Sequence, residues 1–152
     1  MKIVIGSDHA GFPLKKTVID LIEAQGHTVM DVGSYTPDPV DFPDIARALT
    51  AEILTGGADR GIMVCGTGVG ASIAANKVAG IRSSVCHDIH SAHQCVEHDD
   101  VNVMCIGAQI VGPWLAKDLV LAYLDAEFST DEDFRRRVEK LQEMDLERSK
   151  DT

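Results

Sequence analysis

The chain has 152 residues, the size of one domain, and a domain of that size buries about 70% of its unfolded surface without staples. Fourteen basic against 24 acidic side chains give a formal charge of −10, which argues against nonspecific binding to nucleic acid or an anionic membrane. The four cysteines lie outside any C-x-x-C spacing, no apolar run approaches the ~20 residues of a membrane span, and Met1-Lys2-Ile3-Val4-Ile5 does not read as a leader, so a soluble, disulfide-free cytoplasmic protein is expected.

Residues 2–5 read as a first strand. Pro13 to Gln25 reads as a helix, with Leu14, Val18, Leu21 and Ile22 on one face, Pro13 near its start and Gly26 as its stop. Val29 to Val32 is a second strand, and Gly33 to Pro43, with three prolines, a loop. A helix from about Asp44 to Leu54 ends at Gly56-Gly57. Ile62 to Cys65 is the third strand, followed by a glycine turn and a helix to about Val78. Arg82 to Cys86 is the fourth, a His-rich helix follows, and Val103 to Gly107 is the fifth. Pro113 to Ala126 and a highly charged segment from about Asp131 to Arg148 complete the chain as helices. The alternation predicts a single domain over 1–152: a three-layer α/β/α sandwich with a five-stranded parallel, Rossmann-like sheet and an extra C-terminal helix.

The most informative segment is Gly61-Ile62-Met63-Val64-Cys65-Gly66-Thr67-Gly68-Val69-Gly70. An apolar strand delivers a thiol to a glycine turn that opens a helix, so main-chain N–H groups converge on an anion with the helix N-terminus behind them. That field favours a thiolate at Cys65, usable as a base or nucleophile near neutral pH. The plainer reading is a tight strand-to-helix turn with Cys65 as a small buried residue. The spacing is neither G-x-G-x-x-G nor a Walker loop. Ligands of parallel sheets bind at the carboxyl ends of the strands, where Ser7-Asp8-His9, Cys65-Gly66-Thr67 and Cys86-His87-Asp88 are expected to share a crevice; this convergence favours a site. His87, His90 and His93 recur every third residue, but the steps drift around a helix and match no zinc pattern. Arg135, Arg136 and Arg137 form either a local anion site or a solvated helix face.

Gly6-Ser7-Asp8-His9-Ala10-Gly11-Phe12 with Leu14-Lys15, Cys65 to Gly70, Ser72 to Lys77, Gly80-Ile81-Arg82, and His98 with Asn102-Val103 resemble the ribose-5-phosphate isomerase B / LacAB sugar isomerases over nearly the whole chain. The resemblance implies aldose–ketose interconversion through a cis-enediolate, with no metal or organic cofactor. By resemblance, Cys65 is the carbon base and Thr67 assists proton movement among the oxygens. The amides around Gly66, Gly68, Gly70 and Ala71 hold the enediolate, and preorganised donors of this kind are what a carbon acid needs. Asp8 and His98 are implicated in ring opening and His9 in holding the phosphate. The resemblance further implies a homodimer or higher oligomer with the site at the interface, the His98 region contributed by a partner chain, and the helix at 131–148 packed on that partner.

Three positions depart from the family pattern. Gln109 and Asp133 stand where phosphate-binding arginines are usual, Arg137 fits the second arginine of the helix pair with Arg135 or Arg136 as the substitute for the first, and Asp99 stands where an Asn usually follows the histidine. Phosphate dianions favour bidentate guanidinium donors, so these departures weigh against a phosphate; the resemblance still implies ribose 5-phosphate/ribulose 5-phosphate or a similar sugar phosphate, and the alternative they raise is a different or unphosphorylated sugar. A non-catalytic sugar-phosphate binder and a thiol redox sensor at Cys65 are the competing classes.

Overall fold

Side chains of successive strand residues point to opposite faces of a sheet, and this chain uses both faces. The computed structural model describes residues 1–150. Its elements are β1 (Lys2–Ser7), α1 (Phe12–Ala24), β2 (Thr28–Asp31), α2 (Phe42–Leu54), β3 (Arg60–Cys65), α3 (Val69–Ala75), β4 (Ser83–Val85), α4 (Ile89–Asp99), β5 (Val103–Gly107), α5 (Pro113–Asp125) and α6 (Glu132–Lys150). The strands form one parallel sheet in the order β2-β1-β3-β5-β4. Ile3, Ile5, Ile62, Val64, Met104 and Ile106 pack against α1, α4 and α5 on one side, whereas Val4, Met63, Cys65, Val103 and Cys105 meet α2 and α3 on the other. The near-continuous apolar strands of the sequence are those of a sheet covered on both faces, and the three-layer sandwich is as expected.

Boundaries shift where hydrogen bonds decide them. β1 runs on to Ser7 because Ser7 N–H donates to Gly33 O and Ser7 O accepts from Ser34 N–H, both at 2.7 Å. Pro43 lies inside the first turn of α2 rather than closing the loop, since its fixed φ suits the start of a helix. α3 stops at Ala75, where Asn76 takes over: its side chain accepts from Ser83 N–H and donates to Ser83 O, both at 2.8 Å, tying the helix end to β4. β4 keeps only three residues of the longer strand expected from the sequence.

α6 lies against its own chain. Phe134 stacks on His98 of α4 with centroids 3.9 Å apart, Asp145 accepts from Gly80 N–H at 2.8 Å, and Arg148 donates to Asn76 O and Lys77 O. Among its described side chains only Val138 is buried, and Leu141, Met144 and Leu146 are exposed. Among the described residues no helix is long and apolar enough to cross a membrane.

Candidate active site

β1 and β3 are neighbours in register, Ser7 opposite Val64, so the next residues, Asp8 and Cys65, meet at the carboxyl edge of the sheet. The Cys65 thiol donates to Asp8 Oδ2 at 3.1 Å, and Asp8 Oδ1 accepts from Gly11 N–H at 2.9 Å. Both side chains are buried, Cys65 at 7% and Asp8 at 5% exposure, yet the sulfur faces a carboxylate rather than hydrocarbon. The Asp8–Phe12 turn lies directly on β3: a Cβ at Gly11 would stand 1.9 Å from Val64 O, so only glycine admits this approach.

The expectation of a depressed Cys65 pKa is not met. Burial pushes the thiol up, and the Asp8 carboxylate pushes it further by hydrogen bond and charge; the Gly68 and Gly66 amides pull the other way without prevailing. The sequence advertised the amides but not the carboxylate 57 residues away, and two main-chain dipoles do not outweigh desolvation plus a full charge. The balance holds the Cys65 pKa above the ordinary thiol value.

The turn after Cys65 is seated on the end of β5. Cys65 pairs with Gly107, Ala108 N–H donates to Cys65 O at 2.8 Å, and Gln109 N–H donates to Gly66 O at 3.0 Å. A Cβ on Gly107 would lie 2.6 Å from Thr67 Cα. Gly66, Gly68 and Ala71 are buried, Gly70 rests on the Phe42 ring, and Thr67 is exposed, its Oγ1 accepting from Val69 N–H at 3.4 Å. The Gln109 side chain borders Gly66, its Oε1 3.2 Å from where a Cβ on that residue would sit. Exposed His9 reaches the 33–41 loop, Nδ1 accepting from Val40 N–H at 3.3 Å. Asp8, His9, Cys65 to Ala71 and Gln109 are thus brought to one edge.

His98 and Asp99 are not. α4 runs antiparallel to the strands, and its last turn lies at the amino ends of β4 and β5: Arg82, just before β4, donates to Asp99 O and Asp100 O and pairs with Asp100 at 2.7 Å. Across β5 (Val103–Gly107) that places His98 about 13 Å along the strand direction from the Cys65 end. Arg137 joins His98 there, its guanidinium 5.6 Å from the centre of the Phe134 ring. Arg136 is held by Asp133 at 2.6 Å, and this pairing keeps the Asp133 carboxyl below the usual carboxylate range. Asp133, out of place as a phosphate contact, is a partner for Arg136.

Strand four does not adjoin Cys65, because β5 intervenes. His87, following β4, instead reaches across to β5, where its Nε2 accepts from Gly107 N–H at 2.9 Å. Asp88 caps α4 by accepting from Ser91 N–H at 2.7 Å, and His93 faces Glu97 at 3.4 Å. Among the described residues no three His, Cys, Asp or Glu side chains are grouped to hold a metal ion.

The profile of the ribose/galactose isomerase family matches residues 3–141. The chain belongs to that family. Among its relatives, the D-erythrulose-4-phosphate isomerase of Pectobacterium atrosepticum is 44% identical over 84% of this chain and 85% of that one. Ribose-5-phosphate isomerase B of Escherichia coli K12 is 42% identical over 84% and 85%. The solved structure of Clostridium thermocellum ribose-5-phosphate isomerase B superposes with a TM-score of 0.93 at 42% identity, covering 97% of this chain and 99% of that one. That of the Mycoplasma genitalium ribose-5-phosphate isomerase B with bound ribulose-5-phosphate gives 0.91 at 32% identity, covering 96% and 97%. Several motif residues of this ribose/galactose isomerase family member are staples of the fold. Asn102 accepts from Arg82 N–H at 2.8 Å and donates to Gly80 O at 3.0 Å, stitching the amino ends of β4 and β5.

Proposed function

We propose that this family member interconverts an aldose phosphate and its ketose, ribose 5-phosphate and ribulose 5-phosphate in the first place, by proton transfer between C2 and C1 through a cis-enediolate. The observation that carries the reading is the Cys65–Asp8 pair at 3.1 Å beside a turn rich in main-chain donors. Asp8 Oδ2 takes the thiol proton, and the thiolate removes the proton from C2 of the open aldose. The negative charge moves to O1, where the N–H groups of Gly66, Gly68, Gly70 and Ala71 receive it; those of Gly68, Gly70 and Ala71, at the start of α3, have no intrahelical partner to give up. Thr67 passes a proton between O2 and O1, and Cys65 returns the carbon-bound proton to C1. Aldose and ketose are isomers, so the sequence of steps closes without a redox partner or cofactor.

Opening the sugar ring falls to His98 with Asp8, since an imidazole exchanges protons with ring oxygen and anomeric hydroxyl near pH 7. His98 and Cys65 lie at opposite edges of one chain, which supports a site shared between two subunits: His98, Asp99 and Arg137 of one chain serve Cys65 of the next, with α6 along the interface. His9 and Gln109 complete the phosphate end, and Arg137, whose Asp133 neighbour is already engaged by Arg136, supplies a guanidinium. A second reading, D-erythrulose 4-phosphate, is favoured by the 44% identical relative of that activity. Its carbon chain is one unit shorter, and the C1–C2 chemistry is the same.

The test is deuterium uptake at C1 and C2 in D₂O, followed by NMR, for ribose 5-phosphate, D-erythrulose 4-phosphate and the free pentoses, with Cys65→Ala as control. Exchange with a phosphorylated sugar, lowered ~10²–10⁴-fold by the substitution while ligand affinity persists, is the expected result. Exchange only with free sugars would remove the phosphate from the reading, and binding without exchange would leave a sugar-phosphate binder. Co-expressed Cys65→Ala and His98→Ala chains, each inactive alone, should regain about a quarter of wild-type activity if the site is shared across a symmetric interface.

A further inference from the structure

The imidazole of His87 makes the contact that ties β4 to the end of β5, Nε2 accepting from Gly107 N–H at 2.9 Å. Gly107 is opposite Cys65 in the sheet, and its Cα is so close to Thr67 that a Cβ would stand 2.6 Å from Thr67 Cα and 2.7 Å from Gly66 O. The next two residues hold the same turn from below, through Ala108 N–H to Cys65 O and Gln109 N–H to Gly66 O. Any movement of Gly107 is therefore transmitted to Cys65, Gly66 and Thr67 by direct contact. β4 is an edge strand, paired with β5 alone and only up to Val85 and Cys105, so beyond that point the ladder no longer holds Gly107 on this side and the imidazole takes its place.

We infer that His87 is a positioning residue for the isomerisation: by accepting from Gly107 N–H it fixes the end of β5 and, through it, the height of the Cys65–Gly68 turn over the substrate. The ring must carry its proton on Nδ1, because Nε2 acts as the acceptor. Burial holds its pKa below the ordinary histidine value, which keeps Nε2 unprotonated at neutral pH. Nothing places His87 against the reacting atoms, so its effect falls on turnover rather than on sugar affinity. Reacting groups displaced by a fraction of an ångström lose rate while the remote binding contacts persist.

The inference rests on the isomerase reading, and its test separates the two. His87→Gln keeps an acceptor oxygen near the position of Nε2, whereas His87→Leu keeps bulk and loses the acceptor. With the phosphorylated sugar that the wild type turns over best, the Leu variant is expected to lose ~10–100-fold in kcat with KM within about twofold, and the Gln variant to recover to within about threefold of wild type. Wild-type kcat in the Leu variant, a loss confined to KM, or a Gln variant as slow as the Leu variant would overturn it. Independently of any substitution or substrate, ¹⁵N NMR of the wild-type protein at pH 7 should find His87 in the Nδ1–H tautomer and the Gly107 amide protected from exchange. An Nε2–H tautomer or a freely exchanging Gly107 amide overturns the inference. Absence of isomerase activity with those NMR signatures intact overturns the functional reading instead.

Discussion

Gly107→Ala offers a measurement of how tightly the Cys65–Gly68 turn is held. The added Cβ would stand 2.6 Å from Thr67 Cα and 2.7 Å from Gly66 O, where ordinary van der Waals contact begins near 3.4 Å. The shortfall against Thr67 Cα is therefore 3.4 − 2.6, or about 0.8 Å. Both obstructing atoms are main chain, so no side chain can rotate away and the turn itself must lift. A displacement approaching 1 Å in the reacting groups costs about 100-fold in rate, whereas overpacking a single methyl costs about 1–3 kcal/mol of stability. For a chain of this length that corresponds to roughly 2–12 °C in Tm. Steady-state isomerisation and thermal unfolding on the same preparation give both numbers, and Gly112→Ala, where a Cβ would meet nothing within 4 Å, provides a control with unchanged kcat. A folded Gly107→Ala protein with kcat within threefold of wild type would refute the argument that β5 sets the position of Cys65.

Replacing Asp8 by Asn keeps the Oδ1 acceptor for Gly11 N–H but removes the charge beside the thiol. Since that carboxylate raises the Cys65 pKa while the Gly68 and Gly66 amides lower it, the inflection in the pH profile of iodoacetamide alkylation should move to lower pH in Asp8→Asn, and turnover should fall; an inflection that stays put or moves upward contradicts the pairing. Lys15, 5% exposed, pairs with Asp31 at 2.8 Å and also reaches Ser34 O, anchoring the loop that His9 touches. Lys15→Met strands a carboxylate that is 29% exposed, at a cost of about 2–3 kcal/mol after allowance for its access to water, so calorimetry should record a Tm lower by about 4–12 °C.

The architecture was legible because strand runs and helix periodicities in this chain agree with one another: β1, β3 and β5 are uninterrupted apolar segments, and Pro13 and Pro113 sit in the first turns of α1 and α5. Cys65 with its glycine turn was legible for the same reason, being local in sequence. What escaped was long-range. That Asp8 and Cys65 share one edge was expected, but their direct hydrogen bond needs β1 and β3 to be neighbours, and the separation of His87 from Cys65 needs β5 inserted between β3 and β4; strand order of this kind leaves no mark on any one segment. Asp133 stands out against the family pattern because an arginine is usual there, and its pairing with Arg136 one helical turn along appears only once the helix is formed.

On the proposed reading, the placement of thiol and imidazole at opposite poles of the sheet ties activity to assembly. On the proposed arrangement a solitary chain carries two half-sites facing away from each other, so a newly made or dissociated subunit is inert toward sugar. Specific activity should then decline on dilution along the same curve as subunit association, making protein concentration itself a control on the reaction.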